Sequence, residues 1–455
     1  MTDLYTRFVS RVLFPVHERL KGHSTVKVRR FLEQSQWWSP KELRELQAVR
    51  LCRLLSAAYR RVPYYRKLFD EIGFGPDRVT SIEDLARLPF LTKQNIRSHL
   101  DELKGKGARL VRSNTGGSSG EPLVFFMGRE RVSHDVAAKW RATRWWGVDI
   151  GDPEIVLWGS PIELGAQDRI RGWRDRLLRT RLLSAFEMSP EGLDDYVEAI
   201  ARVRPRMLFG YPSALALVAE RARSRGRSMS RLGIQVAFVT AERLYDHQRD
   251  LIEGTFGCRT ANGYGGRDAG FVAHECPVGG MHVTTEDVVV EIVDRDGNTQ
   301  TPGEVGEVVV THLATQDFPF IRYRTGDVAV LDDTLCRCGR GLPLLKELQG
   351  RATDFVVAAD GTVMHGLALI YVIRDVLGVE NFQIIQEDLQ HVRVKLVTRP
   401  EFEETALEKI RKGIAGRLGP AVHVTLERVP RISSTSSGKY RYVMSRVAPT
   451  YEMKP

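Results

Sequence analysis

Ser113-Asn114-Thr115-Gly116-Gly117-Ser118-Ser119-Gly120-Glu121-Pro122 is the sharpest local feature of this 455-residue chain. Small residues let a backbone approach a phosphate closely, and free amide N–H groups and hydroxyls can then bind its oxyanions. No Gly-Lys-Ser/Thr ends the run, so it is not a Walker A loop. Alone, a Ser/Gly run is more often a flexible surface loop than a phosphate cradle, and its meaning rests on its company. Tyr323-Arg324-Thr325-Gly326-Asp327 offers a carboxylate beside a glycine turn, suited to gripping two ribose hydroxyls. Gly350-Arg351 falls where the composition suggests a domain boundary, and Ser436-Ser437-Gly438-Lys439 presents a lysine on a glycine-bearing loop. Each piece alone is an ordinary solvated group; four in this order are not expected by chance.

Outward from the loop, apolar β-rich segments alternate with helical ones. Strands are expected at Leu123–Met127, Ile155–Trp158, Met207–Gly210 and Val236–Thr240, with helices at Arg131–Trp146, Gly192–Ala201, Ser213–Arg223 and Asp246–Phe256. That alternation predicts a layered α/β domain. Residues 281–331 turn β-rich, with turn signals at Asp296-Gly297 and Pro302-Gly303. Residues 1 to about 105 read as mostly helical, with Leu43, Leu46, Val49, Leu54, Leu55 and Ala58 at helical spacing. The last hundred or so residues repeat a smaller α+β pattern, with strands expected at Phe355–Val357, Phe382–Gln386, Val392–Val397 and Val422–Glu427 and helices at Leu367–Leu377 and Glu401–Leu418. The expected organisation is a large N-terminal domain over 1–350, its first 105 residues helical, and a small, mobile α+β domain over 351–455 carrying Lys439.

Composition narrows the classes. Hydrophobic residues make up 42% of the chain, enough for a packed core, which excludes wholesale disorder. With 67 Lys+Arg against 57 Asp+Glu, the net charge of +10 is modest for this length and does not point to nucleic acid. No run approaches the roughly 18 apolar residues of a membrane span, and the charged start of the chain does not read as a signal peptide. An amphipathic role at a membrane surface for the first 25 or so residues competes there with a helix covering the core. Five cysteines are an odd number and too few for a disulfide framework, so a reduced, cytoplasmic compartment is expected.

With these residues in hand, the chain resembles the adenylate-forming (acyl-CoA synthetase) superfamily, and within it the phenylacetate–CoA ligase and CapK-like branch. The resemblance runs from about Trp38 to Arg446 and rests on Thr240-Ala241-Glu242, Asn262-Gly263-Tyr264-Gly265-Gly266-Arg267-Asp268, Glu275-Cys276-Pro277, Phe320 to Asp327 and Cys336-Arg337-Cys338-Gly339. It implies an enzyme in which a carboxylate attacks the α-phosphate of ATP, giving an acyl-adenylate and pyrophosphate, after which coenzyme A displaces AMP. It also implies the roles of individual residues. Ser113, Thr115, Gly116, Gly117, Ser118, Ser119 and Gly120 would hold the β- and γ-phosphates, and Lys439 would contact the α-phosphate and the substrate carboxylate. Ala241, Glu242, Asn262, Gly263, Tyr264 and Gly265 would line the adenine slot, with Tyr264 stacking; Asp327 would bind the ribose and Arg351 the ribose or α-phosphate side. Asp268 falls where the family has a glutamate positioning Mg²⁺; the carboxylate is kept on a shorter arm. Leu123 replaces a lysine common after the loop's proline, and Thr353-Asp354 stand where a hinge residue is common.

Cys276, His282, Cys336 and Cys338 make a Cys₃His set, the composition of a closed structural zinc site, though not at zinc-finger spacing. Buried free cysteines and a surface histidine are the alternative, and His274 is a competing ligand. The resemblance favours zinc, because members of the branch with these cysteines hold it. Cys52 and Cys258 are expected in the core, and no cysteine sits in a motif that would make it a nucleophile.

The substrate is the least legible part. Trp140, Trp145, Trp146, Trp158, Phe209 and Tyr211 could enclose an aryl or small acyl group or simply pack a core; Tyr211, in Gly210-Tyr211-Pro212-Ser213, is the first choice for the pocket. The dense run Arg169, Arg171, Arg174, Arg176, Arg179 and Arg181 reads as a solvated helical face or as an attractor of polyanions. The expected partners are therefore a small, aromatic, phenylacetate-like carboxylic acid, ATP and CoA, without nucleic acid or a membrane span, and a homodimer is left open. Transfer to an amine or sugar acceptor is the alternative implied by the CapK side of the resemblance. A non-catalytic nucleotide-binding protein is a third reading, against which Lys439 and Asp327 stand.

Overall fold

A computed structural model describes residues 3–115, 123–158, 169–185, 190–351, 355–359, 363–365, 367–373, 376–432 and 442–447. They fall into two units, one within Met1–Thr325 and Ala329–Leu348 and the other within Gly326–Val328, Gln349–Thr435 and Lys439–Pro455.

In the larger unit, β1 (Val111–Asn114) and β2 (Val124–Met127) form an antiparallel pair. The main sheet, assigned to this unit except for Gly326–Val328 and Gln349–Arg351, takes β3 (Glu154–Leu157), β4 (Thr180–Leu183), β5 (Met207–Gly210), β6 (Val236–Thr240), β7 (Arg259–Gly266), β8 (Gly270–Glu275), β9 (Met281–Val283), β10 (Val288–Val293), β11 (Val305–His312), β12 (Tyr323–Asp332) and β13 (Leu344–Arg351). Their order is β10-β11-β12-β13-β9-β8-β7-β6-β5-β3-β4. The run β4-β3-β5-β6-β7 is parallel, whereas β7, β8 and β9 pair antiparallel.

The reason lies in the sequence. Parallel strands joined by helical crossovers are covered on both faces, so they read as unbroken apolar runs. Met207-Leu208-Phe209-Gly210 and Val236-Ala237-Phe238-Val239-Thr240 are such runs, and every residue in them is buried. The crossover helix Pro212–Ser224 starts on a proline at its first position, where no N–H is needed. The next, Asp246–Phe256, stops at Gly257, whose φ of +65° suits the left-handed C-cap. The N-terminal part is helical as expected; its long helix Pro40–Arg61 opens with a capping box between Ser39 and Glu42.

The helix Arg129–Trp145 breaks the usual apolar pattern, burying Arg131, Ser133, His134, Arg141 and Thr143. Each buried charge needs a partner. Arg141 meets Glu286 at 2.6 Å, and Ser35 donates to the same Glu286 oxygen at 2.7 Å. His134 meets Asp287 at 2.6 Å, and Arg50 reaches that carboxylate at 2.8 Å.

The second unit contains the hairpin of β14 (Phe355–Val357) and β15 (Val363–His365). Beside it in sequence come β16 (Val379–Gln386), β17 (His391–Thr398), β18 (His423–Arg428) and β19 (Val443–Ser445), ordered β18-β17-β16-β19. In β17 the alternate residues Val392, Val394 and Leu396 are buried, and the helix Thr405–Leu418 buries Ile410, Ile414 and Leu418 at four-residue spacing. These elements agree with the α+β pattern expected for the end of the chain. One local expectation changes: Tyr323–Asp327 lies in β12 instead of a turn, because Gly326, at φ +79°, is accommodated inside the strand.

Replacing Glu286 with alanine would leave Arg141 charged, buried and unpaired. The expected loss is about 3–5 kcal/mol in denaturant unfolding. A loss below about 1 kcal/mol would show that the pair does not brace the helix.

Candidate active site and metal centre

In a parallel α/β sheet, ligands bind beyond the carboxyl ends of the strands. Register places Gly210 beside Leu157 and Val239, and Thr240 beside Gly263. The residues just past these ends, Trp158, Tyr211, Ala241 and Glu242, therefore share one edge with Tyr264. Ala241 adopts φ +70°, a conformation costing a non-glycine residue on the order of 1–3 kcal/mol, and such strain concentrates at functional sites. Glu242 accepts a hydrogen bond from the Ser213 N–H at 3.3 Å, at the start of the helix that follows β5.

On β7, the Asn262 N–H donates to Glu275 Oε2 at 2.8 Å, and Arg249 holds the same carboxylate at 2.9 Å. The Asn262 side-chain oxygen is buried and has no hydrogen-bond partner among the described residues. Tyr264 is 8% exposed. A side chain at Gly265 would place Cβ 2.1 Å from the Gly270 carbonyl, so only glycine lets β7 and β8 pair here.

Beyond β7, Tyr323 donates its hydroxyl to Asp268 Oδ2 at 2.7 Å. Arg131, 1% exposed, donates to the backbone carbonyls of Arg267 and Asp268, each at 3.2 Å, and pairs with Asp135 at 2.7 Å. Arg267 in turn donates to the Asn114 carbonyl at 3.4 Å, linking this turn to the end of β1. Arg131 and Tyr323 were not singled out in the sequence. A buried arginine at the start of a helix carries no motif, and Tyr323 was read only as a neighbour of Asp327.

The foot of the Ser/Gly loop is a hairpin. Ser113 pairs with Phe125 and Asn114 with Val124, while Thr115 and Leu123 exchange hydrogen bonds at 2.9 and 3.0 Å. Gly116, Gly117, Ser118, Ser119 and Gly120 lie outside the described residues, as do Thr353, Asp354 and Lys439. Asp327 sits half-buried in β12, and Arg351 ends β13.

The six candidate aromatics separate. Tyr211 stacks on Trp158 at 4.4 Å between centroids, and Phe209 lies 5.9 Å from Trp158, at the carboxyl edge. Trp140 packs edge-on against Phe14, and Trp146 donates to the Glu275 carbonyl, so both serve the body of the domain. Trp145 stands beside His282.

Cys276, His282, Cys336 and Cys338 converge, with their ligand atoms within 4.8 Å of one another. The Cys276 and Cys336 sulfurs are 3.8 Å apart, which is the edge of a tetrahedron with metal–sulfur bonds of about 2.3 Å. His282 Nε2 lies 3.2 Å from the Cys338 sulfur, and Nδ1 lies 3.2 Å from the Leu342 carbonyl. A proton on Nδ1 would donate to that carbonyl and leave the Nε2 lone pair facing the thiols. Burial pushes His282 down to about 4, keeping the ring neutral, the form that binds metals. Burial pushes the Cys276 thiol up to about 11, so a thiolate here needs a compensating cation. Gly280 makes room: a Cβ there would lie 2.7 Å from the Cys336 sulfur. The donor set and spacing fit zinc. His274 is not part of this group; it is buried and stacks on Phe271. Cys258 is buried, its thiol raised to about 12 by burial, and Cys52 donates to the Val79 carbonyl, as core residues would.

Among known proteins, residues 356–446 match the family described as the CapK C-terminal domain. The chain is 25% identical to Protein CapK of Staphylococcus aureus, over 89% of this chain and 90% of that protein. It is 28% identical to the phenylacetate-coenzyme A ligase of Thermus thermophilus, over 86% and 90% of the two chains, and 29% identical to that of Escherichia coli, over 70% and 72%. Among solved structures, it resembles 2-hydroxyisobutyryl-CoA ligase in the postadenylation state, with a TM-score of 0.70, 21% identity and 88% of each chain covered. ATP-bound MatB from Rhodopseudomonas palustris follows at a TM-score of 0.51 and 14% identity, over 73% and 66%. The likeness to these ligases establishes the fold.

The buried imidazoles of His274 and His312 predict an acid-sensitive fold. Burial lowers His312 from 6.5 to about 4 and His274 to about 3, so the unfolded chain takes up protons first. Their contribution is full above about pH 6.5 and is lost as pH falls toward those values. Urea unfolding between about pH 7 and pH 4 should show stability falling with pH; a flat or rising profile would contradict it.

Proposed function

We propose that this relative of the phenylacetate–CoA ligases and CapK is an ATP-dependent, AMP-forming carboxylate–CoA ligase. The observation that carries the reading is the carboxyl edge of β5, β6 and β7. There Ala241 is held in a left-handed conformation, and the buried Asn262 oxygen, without a hydrogen-bond partner among the described residues, is the acceptor assigned to the exocyclic N–H of an adenine. Tyr264 supplies the stacking face, between Gly263 and Gly265 in β7.

In the first step a carboxylate oxygen of the acid attacks the α-phosphorus. The bond to the bridging oxygen of the β-phosphate breaks, and pyrophosphate leaves with that electron pair. In the second, the thiol sulfur of CoA attacks the acyl carbon, AMP departs and the thiol proton is released. Little covalent work falls to the protein; positioning and charge stabilisation dominate. The Ser113–Gly120 loop holds the outgoing phosphates, Asp327 the ribose, Arg351 the ribose or α-phosphate side, and Lys439, from the C-terminal domain over 351–455, the α-phosphate and carboxylate. With Tyr323 on Oδ2, Asp268 keeps Oδ1 to face a cation. Mg²⁺ held there would supply neutralising charge to the phosphates. Trp158, Phe209 and Tyr211 favour an aromatic, phenylacetate-like acid. None of the five cysteines is in a disulfide, which supports a cytoplasmic compartment. The match of 356–446 to the CapK C-terminal domain favours, as a second reading, an amine or sugar acceptor in polysaccharide or secondary-metabolite synthesis.

A screen of aromatic and small aliphatic acids with ATP and Mg²⁺ should give acid-dependent pyrophosphate release, and Lys439→Ala should lower the rate by about a hundredfold or more. Product formed with CoA supports the ligase, and product formed equally without it supports the second reading. ATP binding without turnover, unchanged in Lys439→Ala, would contradict both.

Cys276, His282, Cys336 and Cys338 are proposed to hold a structural Zn²⁺ that pins the β8–β9 turn to the segment before β13. Elemental analysis of chelator-washed protein should find about one zinc per chain, and Cys276→Ser should lose it. Less than about a tenth of an equivalent in the unsubstituted protein would contradict the site.

A further inference from the structure

The segment Leu4–Leu20 presents its faces in reverse. It consists of the helix Leu4–Phe8, a π turn Val9–Leu13 and the helix Phe14–Leu20. Its buried side includes the polar Thr6, Ser10 and Glu18 beside Val9 and Phe14. Its exposed side carries Leu4, Phe8, Val12, Val16 and Leu20, one apolar residue every four, each between 48% and 84% exposed. In an uninterrupted α-helix a four-residue row drifts about 40° per step. The π turn winds more slowly and draws the row back toward one line.

This row is not a fraying end. Thr6 donates to Asp152 at 3.0 Å, Phe14 packs edge-on against Trp140 at 5.1 Å, and Glu18 hydrogen-bonds His23 at 3.0 Å. Val9 fits against Gly151, where a Cβ would come within 2.6 Å of it. The helix Arg169–Leu177 lies alongside: Tyr5 donates to the Leu177 carbonyl at 3.0 Å, and Arg179 pairs with Asp3 at 2.6 Å. That helix carries the exposed Trp173 (65%) and Leu177 and part of the arginine run. Arg7, Arg11, Arg19, Lys21, Arg176 and Arg181 are exposed around it.

We propose that this face docks on an anionic lipid bilayer. Leu4, Phe8, Val12, Val16, Leu20 and Trp173 enter the boundary between headgroups and acyl chains, and the flanking arginines meet lipid phosphates. No helix among the described residues is long and apolar enough to cross a membrane, so the segment lies in the interface plane. Charge selects the occupant. A two-fold contact with a second copy would set this basic rim against another basic rim, whereas an anionic surface supplies the opposite sign. The inference does not depend on the adenylation chemistry.

Co-sedimentation with vesicles tests it, comparing pure phosphatidylcholine with phosphatidylcholine containing about one-third phosphatidylglycerol. Binding is expected to the anionic vesicles, to weaken with salt and to be about tenfold lower on the neutral ones. Phe8→Ser with Val12→Ser, and separately Arg7→Glu with Arg11→Glu, should each lower binding about tenfold while thermal unfolding and pyrophosphate release stay unchanged. Equal binding to both vesicle types would overturn the proposal, as would no binding, or binding unaffected by both pairs of substitutions. A dimer in light scattering that Phe8→Ser with Val12→Ser dissolves, without vesicle binding, would assign the face to a second copy instead.

Discussion

The buried guanidinium of Arg131 is the constraint on which the candidate site depends. Removed from water, it must be met on several sides, and it takes Asp135 and the backbone carbonyls of Arg267 and Asp268. Those carbonyls belong to the turn that presents Asp268, and Arg267 ties the same turn to the foot of the Ser/Gly loop. One desolvated charge thus ties the turn that presents Asp268, through Arg267, to the hairpin at the foot of the loop. The same helix repeats the device with His134 on Asp287 and Arg141 on Glu286. An apolar helix could pack as tightly, but it would not place hydrogen-bond donors at defined backbone carbonyls.

Around that strut the parallel strands do what their connectivity demands. Successive carboxyl ends open on one edge, where strained Ala241, the Asn262 oxygen without a partner among the described residues, and the Trp158–Tyr211 stack gather. Polar acceptors and aromatic faces side by side suit a nucleotide next to an acyl group. The cysteine cluster lies at the far end of β8 from the Gly265–Gly270 turn, as a brace on the strand that carries His274 and Glu275.

Much of this was legible in the sequence because its causes are local. Unbroken apolar runs gave β5 and β6, and turn residues and helical spacing gave the crossover helices within a few residues. The Cys₃His set could be named from composition, but only the fold shows that His282 joins it and His274 does not. Arg131 and Tyr323 stayed hidden because a positioning role depends on partners 136 and 55 residues away. The aromatic residues sorted only in part: Gly210-Tyr211-Pro212-Ser213 pointed to Tyr211, but that Trp158 stacks on it at the carboxyl edge while Trp140 packs on Phe14 follows only from the fold. The exposed row from Leu4 to Leu20 has ordinary helical spacing; that it faces outward follows from Thr6, Ser10 and Glu18 finding partners on the body.

At the carboxyl edge of β5, β6 and β7, the proposed chemistry begins with activation of an acid by ATP. Isotope exchange between labelled pyrophosphate and ATP measures that half-reaction alone, without any acceptor. The account predicts exchange that requires a carboxylic acid, proceeds without CoA and falls when Asn262→Leu removes the side-chain oxygen. Exchange absent for every acid tried, or proceeding equally without acid, would contradict it.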